Sequence, residues 1–199
     1  MYLHKKIIDD YLNSIVRICP KIDSEALDYY SKKLTVTEYS SKHFLIEEGM
    51  LQNKINYLVS GLVRAFYIND KGSEINVSFI KEDEYAIHYE AFVSQKSSKY
   101  YFQTIEPSII INIPYNHIWD CCDKFPYMER YLRIILQKEL YYKQKRIDSF
   151  IFENAETRYL NFMKENADLF NRLTISQICS YLGIERQTLT RIRKKLSSK

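Results

Sequence analysis

Glycine and proline are scarce, at four residues each in a chain of 199. So few chain breakers exclude a collagen-like, low-complexity or linker-dominated polypeptide. No apolar run is long enough to span a bilayer, and the charged segment after Met1 has no signal-like apolar core. A cytoplasmic protein with no membrane partner is the expectation. The four cysteines, Cys19, Cys121, Cys122 and Cys179, form no C-x-x-C pair. The four histidines, His4, His43, His88 and His117, show no H-x-H or i, i+4 spacing. These absences argue against a disulfide framework and against a cupin-like metalloenzyme. No catalytic residue and no metal ligand is assigned, and an enzyme is not expected.

What is present is a globular composition, 46% apolar and 27% charged, with tyrosine overused at 18 residues. Its net charge of +4 is unevenly spread. Residues 142–199 hold 12 Lys/Arg against 6 Asp/Glu, whereas residues 1–141 hold 17 against 19. A mildly acidic body with a basic C-terminal part suits a polyanion partner.

The most specific pattern lies in that basic part, TISQICSYLGIERQTLTRIRKKL from Thr174 to Leu196. Thr174 with Gln177 three residues on is a capping-box start. Ile178, Cys179, Leu182, Leu189 and Ile192 fall at helical spacings, so each of two short helices has an apolar face. Gly183 stands where the turn between them needs a left-handed backbone. Six or seven positions agree on a helix-turn-helix, the geometry that places a second helix in the DNA major groove.

Upstream, Leu3 to Val16 has helical spacing, and Ser24 is placed to cap a second helix reaching about Leu34. From Leu34 to Ile113 the period becomes that of strands: LTVTEY, HFLIEEG, INYLVSG, LVRAFYI, EINVSFI, YYFQTI and SIIINIP. About seven short strands, one pair joined by the turn NDKG, predict a small antiparallel barrel or roll. A short helix follows over Tyr115 to Cys122. A long one runs from Pro126 to Phe152 without a further proline or glycine. Its stripe of Met128, Leu132, Ile135, Leu136, Leu140, Ile147 and Ile151 could meet a second copy or simply fill a core. Residues 154–165 predict one more amphipathic helix.

Order and motifs together resemble the Crp/Fnr family of bacterial transcription regulators, along essentially the whole chain. The matching stretches are HFLIEEGMLQNKINYLVSGLVRAFYINDKGSEI, ETRYLNFMK and ISQICSYLGIERQTLTRIRKKL. The resemblance implies an α+β chain. Residues 1–125 would form an antiparallel β-roll, a double-stranded β-helix of the cyclic-nucleotide-binding type, with flanking helices. Residues 126–152 would be the dimerisation helix, and residues 153–199 a winged-type helix-turn-helix domain. It implies a homodimeric, sequence-specific regulator whose partners are double-stranded DNA and RNA polymerase. The competing reading is a small-molecule-binding roll whose C-terminal helices mediate protein contacts.

By the same resemblance, base reading falls to Arg186, Gln187 and Arg191, with Thr190 on the same face. Arg can donate two hydrogen bonds to guanine and Gln can pair with adenine. Gln187 stands where the family commonly has an acidic residue, so an altered half-site is expected. Thr188, Arg193, Lys194 and Lys195 are the phosphate candidates. Nucleotide-binding members carry a Gly-Glu pair and then an Arg in the region that here reads KEDEYAIHYEAFVSQKSSKYYFQT. That stretch has no glycine, and no arginine occurs from Ala65 to Glu129. Lys96 or Lys99 would need a different geometry to hold a phosphate. Cyclic AMP is therefore not expected, and with only Cys19 near the N-terminus neither is an iron-sulfur cluster. No cofactor is assigned; Tyr85, Tyr89, Phe92 and Tyr101 are candidates to line a pocket for an apolar effector of unknown identity.

Overall fold

The computed structural model describes residues 2–197; residues 198 and 199 of the basic tail lie outside them. Helix α1 (Tyr2–Ile18) buries Tyr11 and Ile15. Helix α2 (Ser24–Ser31) is capped by Asp23, not Ser24, through a carboxylate that accepts the Ala26 N–H at 2.7 Å. Asp23 has the extended backbone an N-cap needs, which moves the helix start one residue from the sequence expectation.

Eight strands follow: β1 (Thr35–Tyr39), β2 (Phe44–Ile46), β3 (Lys54–Ser60), β4 (Val63–Ile68), β5 (Glu74–Ile80), β6 (Tyr85–Ala86), β7 (Tyr101–Thr104) and β8 (Ser108–Pro114). They form two antiparallel sheets, ordered β1-β8-β3-β6 and β2-β7-β4-β5. The chain passes between the sheets at nearly every connection, which is the winding of a roll. At the crossing from β3 to β4, Gly61 has φ +103, and a Cβ there would stand 2.3 Å from Ser108 Oγ. Only glycine fits that crossing. Ile46, Leu58, Val63, Phe102 and Ile110 pack between the sheets. A six-residue helix, α3 (Tyr89–Ser94), interrupts the strands; it is too short to show a period in the sequence.

Helix α4 (Tyr115–Lys124) leads to α5 (Pro126–Phe152), whose bounds match the sequence expectation and whose proline sits in the first turn. The start of α5 is buried, with Met128 and Tyr131 in one core with α1, α2 and β8. Its later part is exposed. Helix α6 (Ala155–Glu165), a single 3-10 turn at Ala167–Leu169, α7 (Ile175–Leu182) and α8 (Arg186–Ser197) complete the described chain. The expected wing is not found: among the described residues no strand follows β8.

The C-terminal helices do not stand apart from the roll. Leu62 and Phe79 of the roll share a core with Phe162, Leu169, Ile178 and Leu182. Asn76 Nδ2 of β5 donates to Ser180 Oγ at 2.7 Å. Arg172 donates to Gly61 O at 2.7 Å, to Glu82 Oε1 at 2.8 Å and to Glu106 Oε1 at 2.6 Å, tying three roll segments to the head.

Candidate nucleic-acid interface and roll cavity

The head is built as its sequence dictates. Gln177 N–H donates to Thr174 Oγ1 at 3.2 Å and Thr174 N–H donates back to Gln177 Oε1 at 2.8 Å, closing the capping box. Gly183 ends α7 in the left-handed region, φ 62 and ψ 41, and Ile184 N–H reaches back to Cys179 O at 3.0 Å. Ile178, Cys179, Leu182, Leu189 and Ile192 are all buried in the head core, as expected for the structural residues of the motif. Burial pushes the Cys179 thiol up, so it remains a neutral packing group.

The residues assigned to bases lie on the opposite side of α8. Arg186, Gln187, Thr190 and Arg191 are all exposed. Among the described residues their side chains bond only locally: Thr190 Oγ1 donates to Arg186 O at 3.0 Å, and Arg191 Nη2 to Thr188 Oγ1 at 3.3 Å. The phosphate candidates divide. Thr188 is half-buried beside Arg191, and Lys194 is exposed. Lys195 Nζ pairs with Glu156 at 2.8 Å. Arg193 is spent differently from its assignment: its Nε–H donates to Tyr159 Oη at 3.1 Å and its guanidinium lies 5.1 Å from the centre of the Phe170 ring. It fastens α8 to α6.

Between the roll and α5 lies a cavity of about 770 Å³. Tyr85, Tyr89 and Phe92, three of the four residues offered for an apolar pocket, line it. Tyr101 does not; it stacks on Phe66, centroids 5.1 Å apart, on the other face of its strand. Missed in the sequence were Tyr30, Trp119 and Tyr131, which also line it and come from α2, α4 and α5. Their shared signal, aromatic residues on helix faces, is indistinguishable from core packing in one dimension. His88, at the edge of the cavity, bonds Ser98 Oγ through Nδ1 at 3.2 Å; burial lowers its pKa, against the opposing pull of Glu90, and favours the neutral ring.

Comparison with known proteins agrees with this architecture. Residues 36–125 match the family model of the cyclic nucleotide-binding domain. The anaerobic regulatory protein of Haemophilus influenzae is 23% identical over 159 residues, 74% of this chain and 61% of the relative. Electron transport regulator A of Shewanella oneidensis is 24% identical over 144 residues, 67% of this chain and 57% of that protein. The chain thus spans about three fifths of the length of these relatives. Among solved structures, FixK2 from Bradyrhizobium japonicum superposes with a TM-score of 0.72 at 16% identity, covering 83% of this chain and 85% of that one. A protein from Eubacterium rectale described as a transcriptional regulator of the Crp/Fnr family also gives 0.72, at 13% identity, with 90% and 85% covered.

In fold the chain is similar to regulators of the Crp/Fnr family, and residues 36–125 match the cyclic nucleotide-binding domain.

The family model raises the question of a cyclic nucleotide, and the cavity answers it. A cyclic phosphate is an anion that needs a fixed positive partner when desolvated. The roll wall of the cavity supplies no arginine, since none occurs from Ala65 to Glu129. Arg146 of α5 donates Nη2–H to Tyr181 O at 2.9 Å and lies 3.8 Å over the Tyr181 ring, facing the head. Lys143 is exposed, one turn from Glu139. The residues present do not fit a cyclic nucleotide in this cavity.

Proposed function

We propose that this protein is a homodimeric, sequence-specific DNA-binding transcription regulator of the Crp/Fnr type with a sensor roll. One observation carries the reading: Arg186, Gln187, Thr190 and Arg191 are exposed together on a helix whose other side, Leu189 and Ile192, is locked into the head core. Such a surface can enter a major groove without unfolding anything, and two arginines with a glutamine are the donors that distinguish guanine and adenine edges. Gln187 predicts a half-site different from that of relatives with an acidic residue at this position. Dimerisation is supported by the exposed later part of α5, where Leu140, Ile147 and Ile151 are 69%, 52% and 65% accessible. A dimer would set two reading helices about 34 Å apart on a pseudo-palindromic site. No helix among the described residues is long and apolar enough to cross a membrane.

Selection of duplexes from a random pool, followed by titration at several salt concentrations, tests the reading. Arg191→Ala is expected to cost about 1–3 kcal/mol on the selected site and to relax its specificity. Lys194→Gln should weaken all duplexes alike and reduce the salt slope by about one. Absence of salt-dependent binding to any duplex would reject the proposal.

A further inference from the structure

The walls of the roll cavity are chemically one-sided. Phe92, Phe102, Ile113 and Ile135 make them apolar. Set into them, beside acidic side chains such as Glu84, is a run of tyrosine hydroxyls. Tyr30 and Tyr11 hydroxyls are 3.0 Å apart, Tyr11 and Tyr85 2.9 Å, and Tyr85 bonds Tyr131 in turn. Four hydroxyls joined by three hydrogen bonds use three of their four hydrogens. One hydrogen is left over, and it sits on a chain whose two ends, Tyr30 and Tyr131, both line the cavity. Burial pushes Tyr11, Tyr30 and Tyr85 well above the usual phenol range and Tyr131 up to about 12, so all four keep their hydrogens at neutral pH. Trp119, from α4, also lines the cavity, and its Nε1–H is buried with no hydrogen-bond partner among the described residues. A buried donor left without an acceptor is unfavourable, so a bound molecule that supplies the acceptor gains affinity.

The acid groups point the same way. Glu84 lines the cavity, and burial raises its pKa against the opposing Lys81 N–H and ammonium. A second carboxylate desolvated beside it would be repelled. The size, about 770 Å³, lies in the range that encloses a small organic ligand.

We infer that this cavity binds a neutral, largely apolar small molecule carrying at least one hydrogen-bond acceptor, and that it rejects cyclic nucleotides and other anions. This deepens the sensor half of the proposed function and rests on it only for the consequence at DNA.

Benzophenone and diphenylmethane differ by a carbonyl in place of a methylene; 4-benzoylbenzoate adds a charge to the first. Equilibrium dialysis of the full-length dimer against each, and against cyclic AMP, is the test. Benzophenone should bind with one molecule per chain and roughly two- to tenfold more tightly than diphenylmethane, the effect of one hydrogen bond. It should also quench the emission of Trp119, the only tryptophan. Tyr131→Phe should narrow the gap between the two ligands, and Leu136→Trp should abolish uptake of both. Equal affinity for the two isosteres, tighter binding of 4-benzoylbenzoate or cyclic AMP, or no uptake because the partner's helix fills the space would each overturn the inference. Uptake of benzophenone by a protein that binds no duplex would reject the regulator reading and leave this one standing; DNA binding without uptake would do the reverse.

Discussion

Gly183 does two things that no other residue can do together. Its φ of 62 is a conformation that costs a side chain strain, and a Cβ there would lie 2.9 Å from Phe150 Cε1 of α5. The turn of the reading head is therefore also a seat for the end of the long helix. Gly183→Ala should lower stability by about 1–3 kcal/mol, read from thermal or urea unfolding. Adding Phe150→Ala should recover the steric part of that loss and not the backbone part. The pairing of the two residues was invisible in the sequence, where they stand far apart. The glycine's place in the turn was legible, because it follows directly on the apolar face of α7. Arg193 shows the opposite case. Arg191, Lys194 and Lys195 around it are cationic and exposed, and nothing local tells that its long side chain reaches Tyr159, 34 positions away.

At the scale of elements, what was legible was whatever a regular period records. The bounds of α5 agree because a proline opens it and no breaker interrupts it before Phe152. The strands of the roll were found by alternation. Which face of a strand looks inward was harder. On β7 Phe102 pairs with Ala65 and both line the cavity, while Tyr101 pairs with Phe66 on the other side. A choice between neighbours in YYF is a choice between faces, and a slip of one residue reverses it. The two-residue β6 and the six-residue α3 are shorter than any window in which a period can be counted. On α5 the sequence pattern allowed a core helix or a seam between copies; the fold buries its first turns and exposes the later ones. The double variant Leu140→Glu/Ile151→Glu should therefore sediment as a monomer with its helix content intact, and should lose affinity for a two-half-site duplex far more than for a single half-site.

At the scale of the molecule, head and roll form one packed body, joined at Arg172. Hydrogen bonds to Glu106 and Glu82 raise the Arg172 pKa further. For Glu82, burial pushes the carboxyl up, but hydrogen bonds from Arg172 and the backbone outweigh it and hold the pKa below the usual value of 4.5. A carboxylate whose folded pKa is depressed stabilises the fold above its unfolded pKa and stops doing so as pH falls through the folded one. Acidification from pH 5 through the carboxylate range should thus loosen the head, seen as faster amide exchange in α7 while the strands of the roll stay protected. Arg172→Met should produce the same loosening at neutral pH and flatten its pH dependence, at a cost of about 1 kcal/mol since the partners are partly exposed.

The Arg172 contact has a consequence in time as well as in space. Its acceptors lie at residues 61, 82 and 106, so the bonds close loops of 66 to 111 residues. Contacts that distant in sequence form late, after the local strands and helices they join. A chain emerging from the ribosome would complete β8, with Gly61, Glu82 and Glu106 already in place, before Arg172 has been synthesised. The roll is then an assembled template on which the reading head is laid last.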